Sequence, residues 1–271
     1  MQELLDHPAV QGGLAPFAVA LLTAMLLRRL HLSGVAIVAG FAVTVYLVGG
    51  FAIEPLTTTR KIIWLGLASG LLSFPLSLAH RSLWRPVISV LAGAAAVWMS
   101  VRILQQHTTV EALQWGLGGA LYVGWLVYWM DGLHSSSMRA GSAGLALGLG
   151  TGAAALIGSS ALLGQYGLSL GAAAAAYLLI IVISNRQLPC GRHFTLSIAL
   201  IAGLVGYLAV LTAQLPWYAL PVLAAIPLIG KLPVSGKMAL WLQTVLLSTA
   251  TLTCAAGAVY LSWRINGAPP L

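Results

Sequence analysis

Apolar blocks long enough to cross a bilayer recur almost from one end of this chain to the other. A hydrocarbon core takes roughly 17–25 residues of helix. Ten blocks bounded by charged or turn residues meet or approach that length: Ala9–Leu27, Leu32–Gly50, Ile62–Ala79, Pro86–Leu104, Ala112–Met130, Ala140–Leu163, Leu168–Ser184, Phe194–Leu215, Trp217–Gly230 and Met238–Trp263. Their continuous runs lack the alternation of barrel strands, so each is expected to be a helix. Only 7% of the residues are Asp, Glu, Lys or Arg, against about 25% in soluble domains, too few to coat a water-facing globule. The expected fold is all-α, a polytopic integral membrane helix bundle of about ten transmembrane helices, forming a single transmembrane domain over residues 1–271 in a lipid bilayer.

The ninth block is the short one. Its 14 residues, Trp217–Gly230, rise only about 21 Å as a helix against a core of roughly 30 Å. Pro221 and Pro227 lie inside it and Pro216 just before, and each removes a backbone donor, so nine spans are expected if it is re-entrant. Basic residues set orientation. With the amino terminus outside, the inner connections hold Arg28, Arg29, Arg81, Arg85, Arg139, Arg186, Arg192, Lys231 and Lys237, nine residues against Arg60, Lys61, Arg102 and Arg264 outside. A non-crossing ninth block leaves eight against five, so the outside amino terminus stands either way. Short connections and this bias point to the inner (cytoplasmic) membrane of a cell. Division near Arg139 gives halves 1–139 and 140–271 of five spans each, a plan used by secondary transporters, whose halves are then inverted.

Several kinds of chemistry are excluded. No Asp, Glu, Lys, Arg or His occupies the centre of a block, whereas proton relays and counter-ions need such residues within the membrane. The five acids are too scattered for paired-carboxylate or magnesium chemistry. His7, His31, His80, His107, His134 and His193 sit at block ends or in connections, away from where a bundle would hold haem. Cys190 and Cys254 lack zinc spacing. No basic patch interleaves with aromatics, so nucleic acid is not a partner. The sequence assigns no catalytic residue, no metal and no cofactor.

What remains are polar clusters. Thr57, Thr58, Thr59, Arg60 and Lys61 open the third block, where hydroxyls, cations and helix amides would attract an anion or serve as a cap with snorkelling cations. Ser159 and Ser160, near the end of block six, and Gln165 after it lie at the end of a tightly packed hairpin whose turn is expected near Gln165 and Tyr166, where they would bind a substrate or mark a broken helix. Gln243, Thr244, Ser248 and Thr251 form a polar stripe on block ten, and Trp115, Tyr122, Trp125 and Trp129 an aromatic one on block five. Stripes of these kinds line paths or bind flat or cationic ligands, or else hold helices together. Gly144, Gly148 and Gly152 recur at spacings of four, as in faces that pack against a neighbouring helix, a partner protein or a second copy. Pro75, beside Ser73 and Ser77, is a hinge or a static bend in block three. Two functions follow: a permease or transporter-like protein for a neutral or amphiphilic solute, or a non-catalytic membrane anchor or scaffold subunit of a larger complex. The ten-span plan favours the first and the missing interior charge the second.

Overall fold

The structure is a computed structural model that describes residues 7–30, 32–51, 54–78, 84–188, 190–236 and 238–267, with the backbone alone described over 75–78. Glu3, Asp6, His31, His80, Arg81 and Lys237, and the side chains of Pro75 and Ser77, lie outside the described set. The described chain is all-helical, with ten α-helices matching the ten apolar blocks in order. They are α1 (Ala15–Leu27), α2 (Ala36–Val48), α3 (Thr58–Leu78), α4 (Trp84–Leu104), α5 (Thr109–Asp131), α6 (Ser137–Ile157), α7 (Ala161–Ser184), α8 (Gly191–Thr212), α9 (Ala219–Ile229) and α10 (Leu240–Asn266). A π-helical turn, Val10–Leu14, leads into α1, and a 3₁₀ turn, Arg28–Leu30, follows it. Six of these segments are long and apolar enough to cross a membrane: Val10–Leu30, α4, α6, α7, α8 and α10.

Local chemistry sets the helix starts. α5 opens on a capping box, in which the Glu111 amide donates to Thr108 Oγ1 at 3.4 Å and the Thr108 amide to Glu111 Oε2 at 3.2 Å. Ser160 caps α7 through Leu163 N at 3.4 Å, and Ser159 before it adopts a left-handed φ of 69°. The turn between α6 and α7 therefore falls at Gly158–Ser160, and Gln165 and Tyr166, expected to mark it, lie inside α7. Both pack inward: Gln165 Nε2 donates to Gln11 Oε1 at 3.4 Å, and Tyr166 is buried edge-on against Phe41.

Helix α8 occupies the centre, packed against α2, α3, α4, α5, α6 and α7, while α1 and α10 are peripheral. The tightest pair is α6 with α7. A Cβ at Gly148 would stand 2.3 Å from the Gly171 amide nitrogen, and one at Gly152 2.4 Å from that of Leu168, so the two backbones touch where only glycine permits it. Gly144 instead faces Phe194 and Ile198 of α8. All three glycines are buried within the chain's own packing. Outward, the bundle carries large apolar side chains on many helices, with Leu26, Leu71, Val90, Leu121 and Ile183 each more than two-thirds exposed. Water would not tolerate such a surface; it suits a lipid bilayer.

The helices alternate between two ends. At one end, Arg192 pairs with Asp131 and Arg139 donates to the Lys231 carbonyl, drawing the α5–α6, α7–α8 and α9–α10 connections together. At the other, the Gln214 amide donates to the Gly158 carbonyl at 2.9 Å and Asn266 Nδ2 to the Gln214 carbonyl at 2.6 Å. The short α9 has only 11 residues, yet the chain enters it beside Gln214 and leaves it at Lys231, so this segment links opposite ends. Turns at Pro216–Leu220 and Leu228–Leu232 supply the extra length. Exposed Ser135, Ser159 and Ser235 report on this. In a background lacking Cys190 and Cys254, an impermeant thiol reagent is expected to label S135C and S235C from one side and S159C from the other. Labelling of S159C and S235C from the same side would contradict the path of α9.

Candidate functional site

A cavity of about 730 Å³ lies between α5, α8 and α9, lined along α5 from Gln114 to Trp125, by Tyr207 and Val210 near the end of α8, and by residues from Trp217 to Leu228 on and before α9. Aromatic rings dominate its wall: Trp115, Tyr122 and Trp125 from α5, Tyr207 from α8 and Trp217 before α9. Its small walls are Gly118 and Gly119 on one side and Ala224 and Ala225 on the other, and no side chain lining it carries charge. A volume within the roughly 300–1,000 Å³ range of ligand pockets, with an apolar lining and few polar groups, is the usual form of a small-molecule site.

Each wall is held from behind. Tyr207 crosses to α5, its hydroxyl donating to the Trp115 carbonyl at 3.0 Å and meeting Ser100 Oγ of α4 at 3.3 Å. Gly119 makes room for that ring, since a Cβ there would stand 2.2 Å from it. Trp125 Nε1 donates to the Ala224 carbonyl at 3.1 Å, tying α5 to α9 across one end of the opening. Tyr122 is buried and carries its hydroxyl inward to α8, 3.2 Å from where a Cβ at Gly206 would lie; the methyl of Thr151 on α6 approaches the same point at 3.5 Å. The Tyr122 hydroxyl and Thr151 Oγ1 are both buried without a hydrogen-bond partner among the described residues, and buried hydroxyls are seldom left so. A Y122F variant purified without ligand is therefore expected to melt no lower than the parent, by removing a polar group that costs about 1–3 kcal/mol when unsatisfied. A clear loss of stability would show that the hydroxyl is engaged.

The residues singled out by sequence lie elsewhere, except for Trp115, Tyr122 and Trp125 of the aromatic stripe. Thr57 caps α3 by accepting from the Arg60 amide at 3.3 Å. Arg60 turns back to the Pro55 carbonyl, while Lys61, nearly fully buried, turns away to the Trp98 and Met99 carbonyls of α4. Arg60 and Lys61 thus point apart, and Thr58 and Thr59 continue the first turn. Ser159 and Ser160 form the α6–α7 turn, and Gln165 meets Gln11 and the first helices. On α10, Ser248 Oγ lies 2.9 Å from Ser142 Oγ of α6, and Thr251 Oγ1 3.1 Å from the Ser142 carbonyl. Thr244 hydrogen-bonds within its own helix and Gln243 to the Met238 carbonyl. The structure brings these residues into three separate places, none of which is the cavity. Tyr207 and the small residues of α9 were not legible as partners of α5, because 92 residues separate Tyr207 from Trp115.

Electrostatics concentrate at the end of the bundle holding Asp131, Arg139 and Lys231. Burial, and the Arg85 guanidinium beside it, hold the Lys231 amine below the usual lysine range, and burial pushes the Cys190 thiol up. No group of three or more metal-ligating side chains occurs among the described residues. No protein-family profile matches the chain, and no curated protein or solved structure is matched by it.

Proposed function

We propose that this protein is a multi-pass permease of the inner (cytoplasmic) membrane, with its amino terminus outside, that takes a neutral or amphiphilic solute from the bilayer into the cavity between α5, α8 and α9. The carrying observation is the cavity itself: about 730 Å³ of aromatic-lined, uncharged space between α5, α8 and α9. Such walls favour apolar bodies and flat rings, and offer nothing to a fully hydrated ion. Helices from both halves of the chain build the cavity, α5 from residues 1–139 and α8 and α9 from residues 140–271, so relative movement of the halves would change its opening.

The test uses the purified chain alone in liposomes. The expected result is faster transbilayer movement of a fluorescent, uncharged amphiphile than in protein-free vesicles. The second reading, a non-catalytic scaffold, rests on a groove of about 600 Å³ between α6 and α10 with small residues Gly150, Ala153, Ala255 and Ala256 in its wall. It predicts no movement by the isolated chain and stoichiometric partners in native membranes.

A further inference from the structure

At the end of the bundle holding Asp131 and Lys231, two cations converge, and among the described residues neither has a carboxylate within ion-pair distance. Arg85, in the first turn of α4, lays its guanidinium on Tyr128, with Cζ 3.8 Å from the ring centroid, and its Nε donates to the Tyr128 carbonyl at 2.7 Å. Those contacts fix the guanidinium and leave Nη2 buried with no hydrogen-bond partner among the described residues. Lys231, just beyond α9, places Nζ 4.1 Å from the centroid of the Trp129 ring. Both nitrogens lie beside Gly132: a Cβ built there would stand 2.9 Å from Arg85 Nη2 and 2.9 Å from Lys231 Nζ. Trp129, whose ring lies under the Lys231 amine, has a buried Nε1–H that is also without a partner among the described residues. The nearest acid, Asp131, is held by Arg192, with Nε to Oδ1 at 3.1 Å, and Arg139 adds a third cation through its bond to the Lys231 carbonyl.

Like charges held this close in a half-buried setting repel unless an anion lies between them, and a fixed guanidinium with an unused N–H is a strong anion donor. The apolar space leads here. Leu228 and Trp125 line the cavity and stand three and four residues, about one turn, before Lys231 and Trp129. A second groove, about 530 Å³ between α4 and α5, shares Leu121 and Trp125 with the cavity and is lined by Pro86 and Tyr128 beside Arg85. We propose that Arg85 Nη2, Lys231 Nζ and Trp129 Nε1–H bind the phosphate group of an amphiphile whose apolar tail lies along α5. This assignment rests on the permease reading of the cavity and names the chemical class of its solute. Donors arriving from three side chains fit a tetrahedral anion with several oxygens better than a planar carboxylate.

The test measures binding of phosphatidic acid, of diacylglycerol with the same chains, and of inorganic phosphate to the detergent-purified chain by native mass spectrometry. Phosphatidic acid is expected to bind at least about tenfold more tightly than diacylglycerol. In K231Q, which leaves the Arg85 packing intact, and in R85Q/K231Q, the ratio is expected to fall towards one, and inorganic phosphate is expected to compete only weakly. Equal binding of the two lipids by the parent chain, or a preference that survives in R85Q/K231Q, would overturn the phosphate site. Inorganic phosphate binding as tightly as phosphatidic acid would overturn the amphiphile and assign the cluster to the free ion. Failure of the underlying permease reading is distinguishable, because diacylglycerol binding would then be the same in the parent chain and in G118W, whose new side chain occupies the cavity.

Discussion

Replacing Gly148 or Gly152 by leucine is expected to abolish the folded state. A Cβ at either position would come within 2.4 Å of backbone nitrogen on α7, so no side-chain rotation relieves the clash and the helices must part. Overpacking ordinarily costs about 1–3 kcal/mol where side chains can yield. Here the obstacle is backbone, and a total stability of order 5–15 kcal/mol leaves little margin for separating the tightest helix pair in the bundle. The control is Gly118, which has nothing within 4 Å of its Cβ position. G118A is expected to be neutral or slightly stabilising, since alanine is preferred in a helix by about 1 kcal/mol. Monodispersity and thermal unfolding in detergent read out both, and a parent-like melting temperature for G148L would contradict the α6–α7 contact.

The second large effect is on ligand handling. Gly118 lines the cavity and faces open space, so G118W places an indole in the cavity without touching backbone. Binding of an uncharged amphiphile is expected to fall at least about tenfold, equivalent to ~1.4 kcal/mol, and transbilayer movement with it, while the melting temperature stays near that of the parent. Unchanged movement in a folded G118W protein would remove the cavity from the transport path.

How much of this was legible in the sequence depends on the range of the interaction. Each apolar block became one helix because burial of backbone polar groups leaves no other form in lipid, and the capping signals act within a turn. Gln165 and Tyr166 read as a polar interruption in the sequence, yet the α6–α7 turn lies at Gly158–Ser160, because distant Gln11 and Phe41 pack against these two side chains within the bundle. The aromatic stripe on α5 was visible, but a wall is not a cavity until α8 and α9 face it. The convergence of Arg85 and Lys231 on Gly132 joins residues 146 apart in sequence, and nothing in either local pattern signals it. The stripe on α10 shows the same limit: spacing leaves Thr244, Ser248 and Thr251 open as a path or as a helix-to-helix contact, and the Ser142 that faces them is visible only in the packing.

The central claim is that the space between α5, α8 and α9 selects an amphiphile rather than passively touching lipid. Photo-crosslinking tests it directly, with benzoyl-phenylalanine placed at Ala225 in the cavity wall and, for comparison, at Leu26 on the outer surface. Mass spectrometry of the adducts formed in native membranes is expected to show one enriched amphiphile class at position 225 and the bulk lipid mixture at position 26. The same bulk mixture at both positions would contradict the claim.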